Sequence, residues 1–248
     1  MPIVSYTVLS LLLAISLYAL HKLRSMHIML YDVRDQAHHD QAGLFRQLEA
    51  LQGLYIELDL RHSLPPTRGW AASPDFLLEV ARHARTLRQA TVLECSSGVS
   101  TLVLARCMQL NGGGKVYSLE HDVHFAAQTR AQLRRHGLQD FATVIDAPLT
   151  PYDLDGLSWP WYDLAQLPAL PSFDLLVIDG PPQATRAQAR YPAGPLLFPR
   201  LTAGAAVYLD DAARPDEQAI LRRWRQEFPK LAHSSPGCEK GCAVLRFS

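Results

Sequence analysis

Cysteine is scarce in this chain: there are four in 248 residues, Cys95, Cys107, Cys238 and Cys242. That excludes a scaffold built on disulfides. Cys238 and Cys242, in CEKGC, have the spacing of a hairpin disulfide or of half a metal site, but no second ligand pair accompanies them, so they read as free thiols. Neither sign of charge is in excess, with 24 Lys and Arg against 24 Asp and Glu. A chain without a basic surplus lacks the electrostatic footprint of nucleic-acid binding, and no nucleic-acid partner is expected. Arg82, Arg85 and Arg88, and again Arg130, Arg134 and Arg135, read as solvated helix faces. Internal repeats and low-complexity tracts are missing as well, which leaves an ordinary globular domain with additions at its N-terminus.

One long hydrophobic run is present. Ile3 to Leu20 carries no charge over 18 residues and would span about 27 Å as a helix, close to the roughly 30 Å of a bilayer's hydrocarbon core. His21, Lys22 and Arg24 follow the run rather than precede it, the opposite of a cleaved signal peptide. The expectation is an uncleaved single-pass anchor over 1–24 in the inner or plasma membrane, with the C-terminal side cytoplasmic by the positive-inside rule. Over 25–63 a helical stalk is expected. Leu44, Leu48, Leu51, Tyr55 and Leu58 recur at spacings of four and three, a heptad seam that serves either a homodimeric coiled coil or packing on the chain's own domain. SLPPTR (Ser63 to Arg68) breaks the helix, and a globular domain is expected over 64–248.

The domain opens its chemistry at TVLECSSGVSTLVLAR, Thr91 to Arg106. Thr91, Val92 and Leu93 suit a buried parallel strand, and Val99, Leu102, Val103 and Leu104 supply a helix face. Between them Cys95, Ser96, Ser97 and Gly98 leave little side-chain bulk, so a ligand can approach the backbone near the helix start, where Ser100 adds a hydroxyl. Glu94 in that turn argues against a phosphate ligand. Four more strand-like runs follow: Lys115 to Glu120, Phe141 to Ile145, Phe173 to Asp179 and Ala205 to Leu209. They alternate with helical segments, which predicts a largely parallel, helix-covered α/β sheet. All five runs carry an acid as their last residue or just beyond it, at the edge where such sheets bind ligands.

The pattern E-x-[GS]-x-G-x-S-T after a strand resembles the first motif of class I S-adenosylmethionine-dependent methyltransferases. The resemblance covers roughly residues 70 to 248. It implies a Rossmann-like, doubly wound, mostly parallel seven-stranded sheet with helices on both faces, its last strand antiparallel, and last strands at Lys230 to Ser234 and Ala243 to Phe247. It also implies S-adenosylmethionine as cofactor, with Glu94, Ser96, Gly98 and Ser100 at the methionine end. Glu120, 26 residues after Glu94, would bind the ribose with His121 beside it, and Asp146 and Ala147 would meet the adenine. Ser96 stands where the family usually has Gly.

Asp179, Asp210 and Asp211 close the fourth and fifth runs. In metal-dependent O-methyltransferases of the catechol type an Asp after the fourth strand and an Asp-Asn pair after the fifth bind magnesium. Here Asp179 precedes Asp210 by 31 residues, Asp211 stands where Asn is usual, and Pro182 where a catalytic Lys is common. The resemblance thus implies Asp179 and Asp210 as catalytic acids and Asp179, Asp210 and Asp211 as ligands of a Mg2+ ion. The alternative is that Asp179 alone orients the acceptor or cofactor while the other two cap the next helix. O-methylation of a small molecule or of a sugar in a cell-surface precursor is the expected reaction. A binding or scaffold protein that has lost turnover is a rival reading, as is a nicotinamide-dependent oxidoreductase, against which the turn lacks G-x-G-x-x-G.

Three further features stay open on the residues alone. Leu149 to Ser172 reads as a long loop rich in Tyr, Trp and Asp, either an acceptor lid or a hydrophobic latch. Trp70 reads as a core residue, with a cofactor-covering role as the alternative. Arg186, Arg190 and Tyr191 form either a solvated helix face or a contact to an anionic acceptor.

Overall fold

Near-continuous apolar strands alternating with helical segments predict a sheet covered on both faces, and the computed structural model, which describes residues 2–169 and 172–247, has that arrangement. Seven strands make the sheet: β1 (Thr91–Cys95), β2 (Lys115–Glu120), β3 (Ala142–Asp146), β6 (Phe173–Ile178), β7 (Leu201–Asp210), β8 (Leu231–Ser234) and β9 (Cys242–Phe247). Their order is β3-β2-β1-β6-β7-β9-β8. Pairing is parallel from β3 through β7, and β9 runs antiparallel to both β7 and β8. An antiparallel strand beside β7 sets the sheet apart from the all-parallel dinucleotide-binding order.

Successive strand residues point to opposite faces. Val92, Val116, Leu175, Val177, Ala206 and Val244 join one core with helices α2 (Pro74–Thr86), α3 (Val99–Leu110) and α4 (Val123–Arg135). Leu93, Cys95, Leu119, Ile178, Val207 and Leu245 join the other, with α5 (Ala193–Leu197) and α6 (Pro215–Glu227).

Residues 149–169 are not an open loop. They form the hairpin β4 (Leu149–Leu154) and β5 (Leu157–Tyr162), then a short 3-10 turn at Leu164–Gln166; positions 170 and 171 lie outside the described residues. Asp155 and Gly156 sit at φ 56° and 74°, the left-handed pair of a two-residue hairpin turn. Trp161 and Tyr162 are buried, so the hairpin is a cover over one sheet face.

Contacts divide the chain into two compact units, Met1–Arg46 and Gln47–Ser248. A single helix, α1 (Pro2–Glu57), supplies the first and enters the second. Within the first unit the helix is long and apolar enough to cross a membrane, and large apolar side chains from Tyr6 to Val33 are exposed. The Ser10 and Ser25 hydroxyls donate to Tyr6 O and His21 O at 2.9 and 3.0 Å, so these polar groups are satisfied inside the helix.

In the second unit the last turns of α1 pack on the domain, but not through the heptad seam. Gln47, Ala50, Leu54 and Leu58 are buried, whereas Leu48 is exposed. Gln47 Oε1 accepts from Asp75 N at 3.2 Å, which ties the helix to the start of α2. The buried stripe shares only Leu58 with the predicted seam. Truncating Leu54 to Ala should remove about 3 kcal/mol of stability, the usual result for a fully buried leucine; urea denaturation of a fragment beginning at Gly43 measures it, and an unshifted midpoint would contradict this packing.

Candidate active site

Parallel register brings the C-terminal ends of the strands side by side. Glu94 lies opposite Ser118 and Val177, Glu120 opposite Asp146, and Ile178 opposite Leu209. Over this edge opens a cavity of about 640 Å³. Its wall includes Ser96, Ser97, Gly98, Ser100, Glu120, His121, Asp179 and Gly180, with Trp70 and Phe125 among its apolar members.

Glu120 is the anchored carboxylate of that wall. Its Oε2 accepts from Ser97 N at 3.0 Å and Ser97 Oγ at 2.9 Å, its Oε1 accepts from Asp122 N at 3.1 Å, and His121 Nδ1 lies 3.2 Å away. The carboxylate therefore ties the turn after β1 to the end of β2. Glu94 lies beneath the turn, fully buried, and accepts from Thr101 Oγ1 and Ser118 Oγ, both at 2.6 Å. Burial raises its pKa, against the lowering effect of its hydroxyl donors. Its Oε1 has no partner among the described residues.

The turn itself is shaped for close approach. Ser96 holds φ 118°, a conformation that favours glycine, while its N–H donates to Leu119 O at 3.0 Å. Gly98 sits at φ 154°, and a Cβ there would meet nothing within 4 Å, so the backbone faces open space.

Residues 93–212 match the family model of a methyltransferase domain, Methyltransf_24. The chain has a Rossmann-like methyltransferase fold. Solved structures share its fold. The S-adenosylhomocysteine-bound methyltransferase PaMTH1 of Podospora anserina is 17% identical, with 80% of this chain and 88% of that chain covered at a TM-score of 0.56. The O-methyltransferase TomG from Streptomyces achromogenes, involved in tomaymycin synthesis and solved with S-adenosylmethionine, is 19% identical, with 82% and 89% covered at 0.51. An O-methyltransferase from Bacillus cereus in complex with S-adenosylhomocysteine is 21% identical, with 81% and 90% covered at 0.50. No curated protein sequence matches significantly.

Apart from Glu94, buried beneath the turn, the predicted site residues separate into three groups. Ser96, Gly98, Ser100, Glu120, His121 and Asp179 line the cavity together. Asp146 instead pairs with Arg130 at 2.8 Å, and Ala147 is buried with its N–H donating to Glu120 O at 2.7 Å; neither lines the cavity. Asp210 and Asp211 are buried behind it, with carboxylate oxygens of Asp179, Asp210 and Asp211 all within 4.8 Å of one another. They do not cap α6, whose N-cap position is Arg214.

Arg190 sits in that acid cluster, 3% exposed. One terminal nitrogen donates to Asp179 O at 3.0 Å, Asp179 Oδ1 at 3.3 Å and Asp211 Oδ2 at 2.9 Å, and the other donates to Asp210 O at 2.8 Å. Arg214 reaches Asp211 Oδ2 at 2.8 Å. The expectation of a solvated face or an acceptor contact is therefore corrected for Arg190. Tyr191 is buried too, and Arg186 stacks over Trp159 at 3.7 Å from its ring centroid. Burial pushes Asp179 up to about 7 despite the neighbouring guanidinium, and it raises Asp210 well above the usual carboxylate range.

Two further wall residues differ from expectation. Trp70, read as a core tryptophan, is 80% exposed at the cavity rim. Tyr162 is fully buried beside Asp179 and Gly180, and its hydroxyl has no partner among the described residues. A Cβ on Gly180 would overlap that hydroxyl and meet Ser96 Cβ at 3.0 Å, so Gly180 is what lets Tyr162 and the turn share the wall. The only sequence signal for Tyr162 was its place in an aromatic-rich segment.

Relieving the turn's backbone by Ser96→Gly should stabilise the protein by about 1 kcal/mol, seen as a higher melting temperature; a lower one would show that the Ser96 side chain is needed. Glu120→Ala frees Ser97 and Asp122 and should abolish S-adenosylmethionine binding measured by calorimetry; retained affinity would contradict the role given to this carboxylate.

Proposed function

We propose that this chain is an S-adenosylmethionine-dependent O-methyltransferase, held at the cytoplasmic face of the inner or plasma membrane by α1 and acting on a small molecule or on a sugar in a cell-surface precursor. The observation that carries the reading is one cavity that joins the small-residue turn and anchored Glu120 on one side to Asp179 on the other. Glu120 and His121 would take the ribose, and Ser96, Gly98 and Ser100, backed by buried Glu94, the methionine end. The adenine would lie toward the apolar rim, with Asp146 acting only through Arg130 and with Ala147 as backbone support.

Methyl transfer from a sulfonium is an in-line displacement, so the protein must align the acceptor oxygen and take its proton. Asp179 suits that task, since it faces the cavity and burial pushes its carboxyl up to about 7. In its ionised form it accepts the hydroxyl proton as the oxygen attacks the methyl group. Asp210 acts through Asp179 and Arg190 rather than on the acceptor. Tyr162, a donor aimed at the same wall, would orient the acceptor by hydrogen bonding.

A scaffold reading is favoured by one observation, the strained Ser96 in place of the family's glycine. Asp179→Asn separates the two readings. The enzyme should lose about 100-fold or more in turnover, the usual contribution of a general base, with cofactor affinity unchanged, when formation of S-adenosylhomocysteine is followed across a panel of hydroxylated acceptors. No turnover by the wild type with any acceptor, with cofactor binding retained, would favour the scaffold. For the anchor, the full chain should sediment with membranes and the fragment from Gly43 should not; a soluble full chain would contradict it.

A further inference from the structure

Three carboxylates whose oxygens lie within 4.8 Å of one another have the spacing of a divalent-cation site. We propose that no divalent ion belongs there, and that the Arg190 guanidinium is the resident cation that holds Asp179 against the cavity.

The geometry carries this in three steps. First, one guanidinium donates to two of the carboxylates, at Asp179 Oδ1 (3.3 Å) and Asp211 Oδ2 (2.9 Å), and to the backbone carbonyl of Asp210 at 2.8 Å. Its Nε lies 3.7 Å from Glu217 Oε1 as well. A dication sharing those carboxylates would sit within a few ångströms of this positive charge, with little water between to screen it. Second, Arg190 is fixed in place. It is 3% exposed, its carbonyl accepts from Ala193 N at 3.2 Å, and Trp224 Nε1 donates to the next residue's carbonyl, Tyr191 O, at 3.1 Å. Third, only Asp179 of the three acids lines the cavity. A metal bound by Asp210 and Asp211 would lie behind the wall and not beside an acceptor's oxygens.

Asp210 Oδ2 and Asp211 Oδ1 have no hydrogen-bond partner among the described residues, so the charge balance needs an account. Asp179, Asp210, Asp211 and Glu217 face two guanidiniums, Arg190 and Arg214. Burial raises the Asp179 and Asp210 carboxyls, and protons held there supply the remainder without a metal. Asp211 fits the same scheme: where a metal site uses a neutral Asn, this chain has a second anion, which suits a partner that forms directional ion pairs.

The test is Mn2+ binding to the detergent-solubilised full chain, followed by the electron paramagnetic resonance of the free ion. The wild type should leave the Mn2+ signal undiminished and should melt at the same temperature with Mg2+ or with a chelator. Stoichiometric Mn2+ uptake that is lost in Asp210→Ala would overturn the proposal. Arg190→Gln leaves the acids uncompensated and should melt about 10 °C lower, with partial recovery on adding Mg2+, which then has room to bind. A variant as stable as the wild type would equally overturn it. These readouts do not depend on turnover, so they stand apart from the choice of methyl acceptor.

Discussion

Parallel strands that end in acids create an electrostatic problem at the edge where the ligand must bind, and the way this protein solves it organises the rest of the site. Opposite unit charges 4 Å apart attract by about 4 kcal/mol at an effective dielectric of ~20, and like charges repel by as much. Asp179, Asp210 and Asp211 would drive β6 and β7 apart at their tips without a counter-charge. Arg190 supplies it from the segment that follows β6, and Arg214 adds a second guanidinium from the segment that follows β7. At the other end of the cavity Glu120 is handled differently, by backbone N–H groups and a serine hydroxyl that fix its position. One end thus presents a carboxylate held by neutral donors, and the other a cluster of acids held by guanidiniums.

The two cores explain why this edge is rigid. Alternating strand residues feed a helical layer on one face and the hairpin with α5 and α6 on the other. Tyr162 belongs to the second layer and reaches the cavity wall because Gly180 leaves space for its hydroxyl. Trp161, packed edge to face on Tyr162 with ring centroids 5.2 Å apart, fixes the ring that carries that hydroxyl. The cover over the sheet therefore contributes a residue to the cavity wall, which links hairpin packing to the shape of that wall.

The sheet and half of the cavity wall were legible in the sequence because their signals are local. An apolar run, a small-residue turn and a helical repeat specify Glu94, Ser96 and Gly98 without knowledge of the rest of the chain, and strand-terminal acids mark Glu120 and Asp179. The remainder depends on contacts between distant segments. Arg190 looks like any arginine after a turn until β6 and β7 lie side by side, so its burial could not be read from spacing. Asp146 ends its strand as Glu120 does, yet Arg130 from α4 draws it away from the cavity. The stalk's apolar residues fit two stripes, and only the docking of α1 on α2 selects the one through Ala50 and Leu54. The hairpin was the readable miss: Asp155-Gly156 between aromatic and apolar residues is a turn signal in its own right.

The central claim is that the cavity over the strand ends is an S-adenosylmethionine site. Calorimetric titration of the fragment from Gly43 onward with S-adenosylmethionine, S-adenosylhomocysteine and NAD tests it most directly. Saturable binding of the first two in the micromolar range, with no heat from NAD, is the predicted result. Binding of NAD in their place, or of none of the three, would contradict the account.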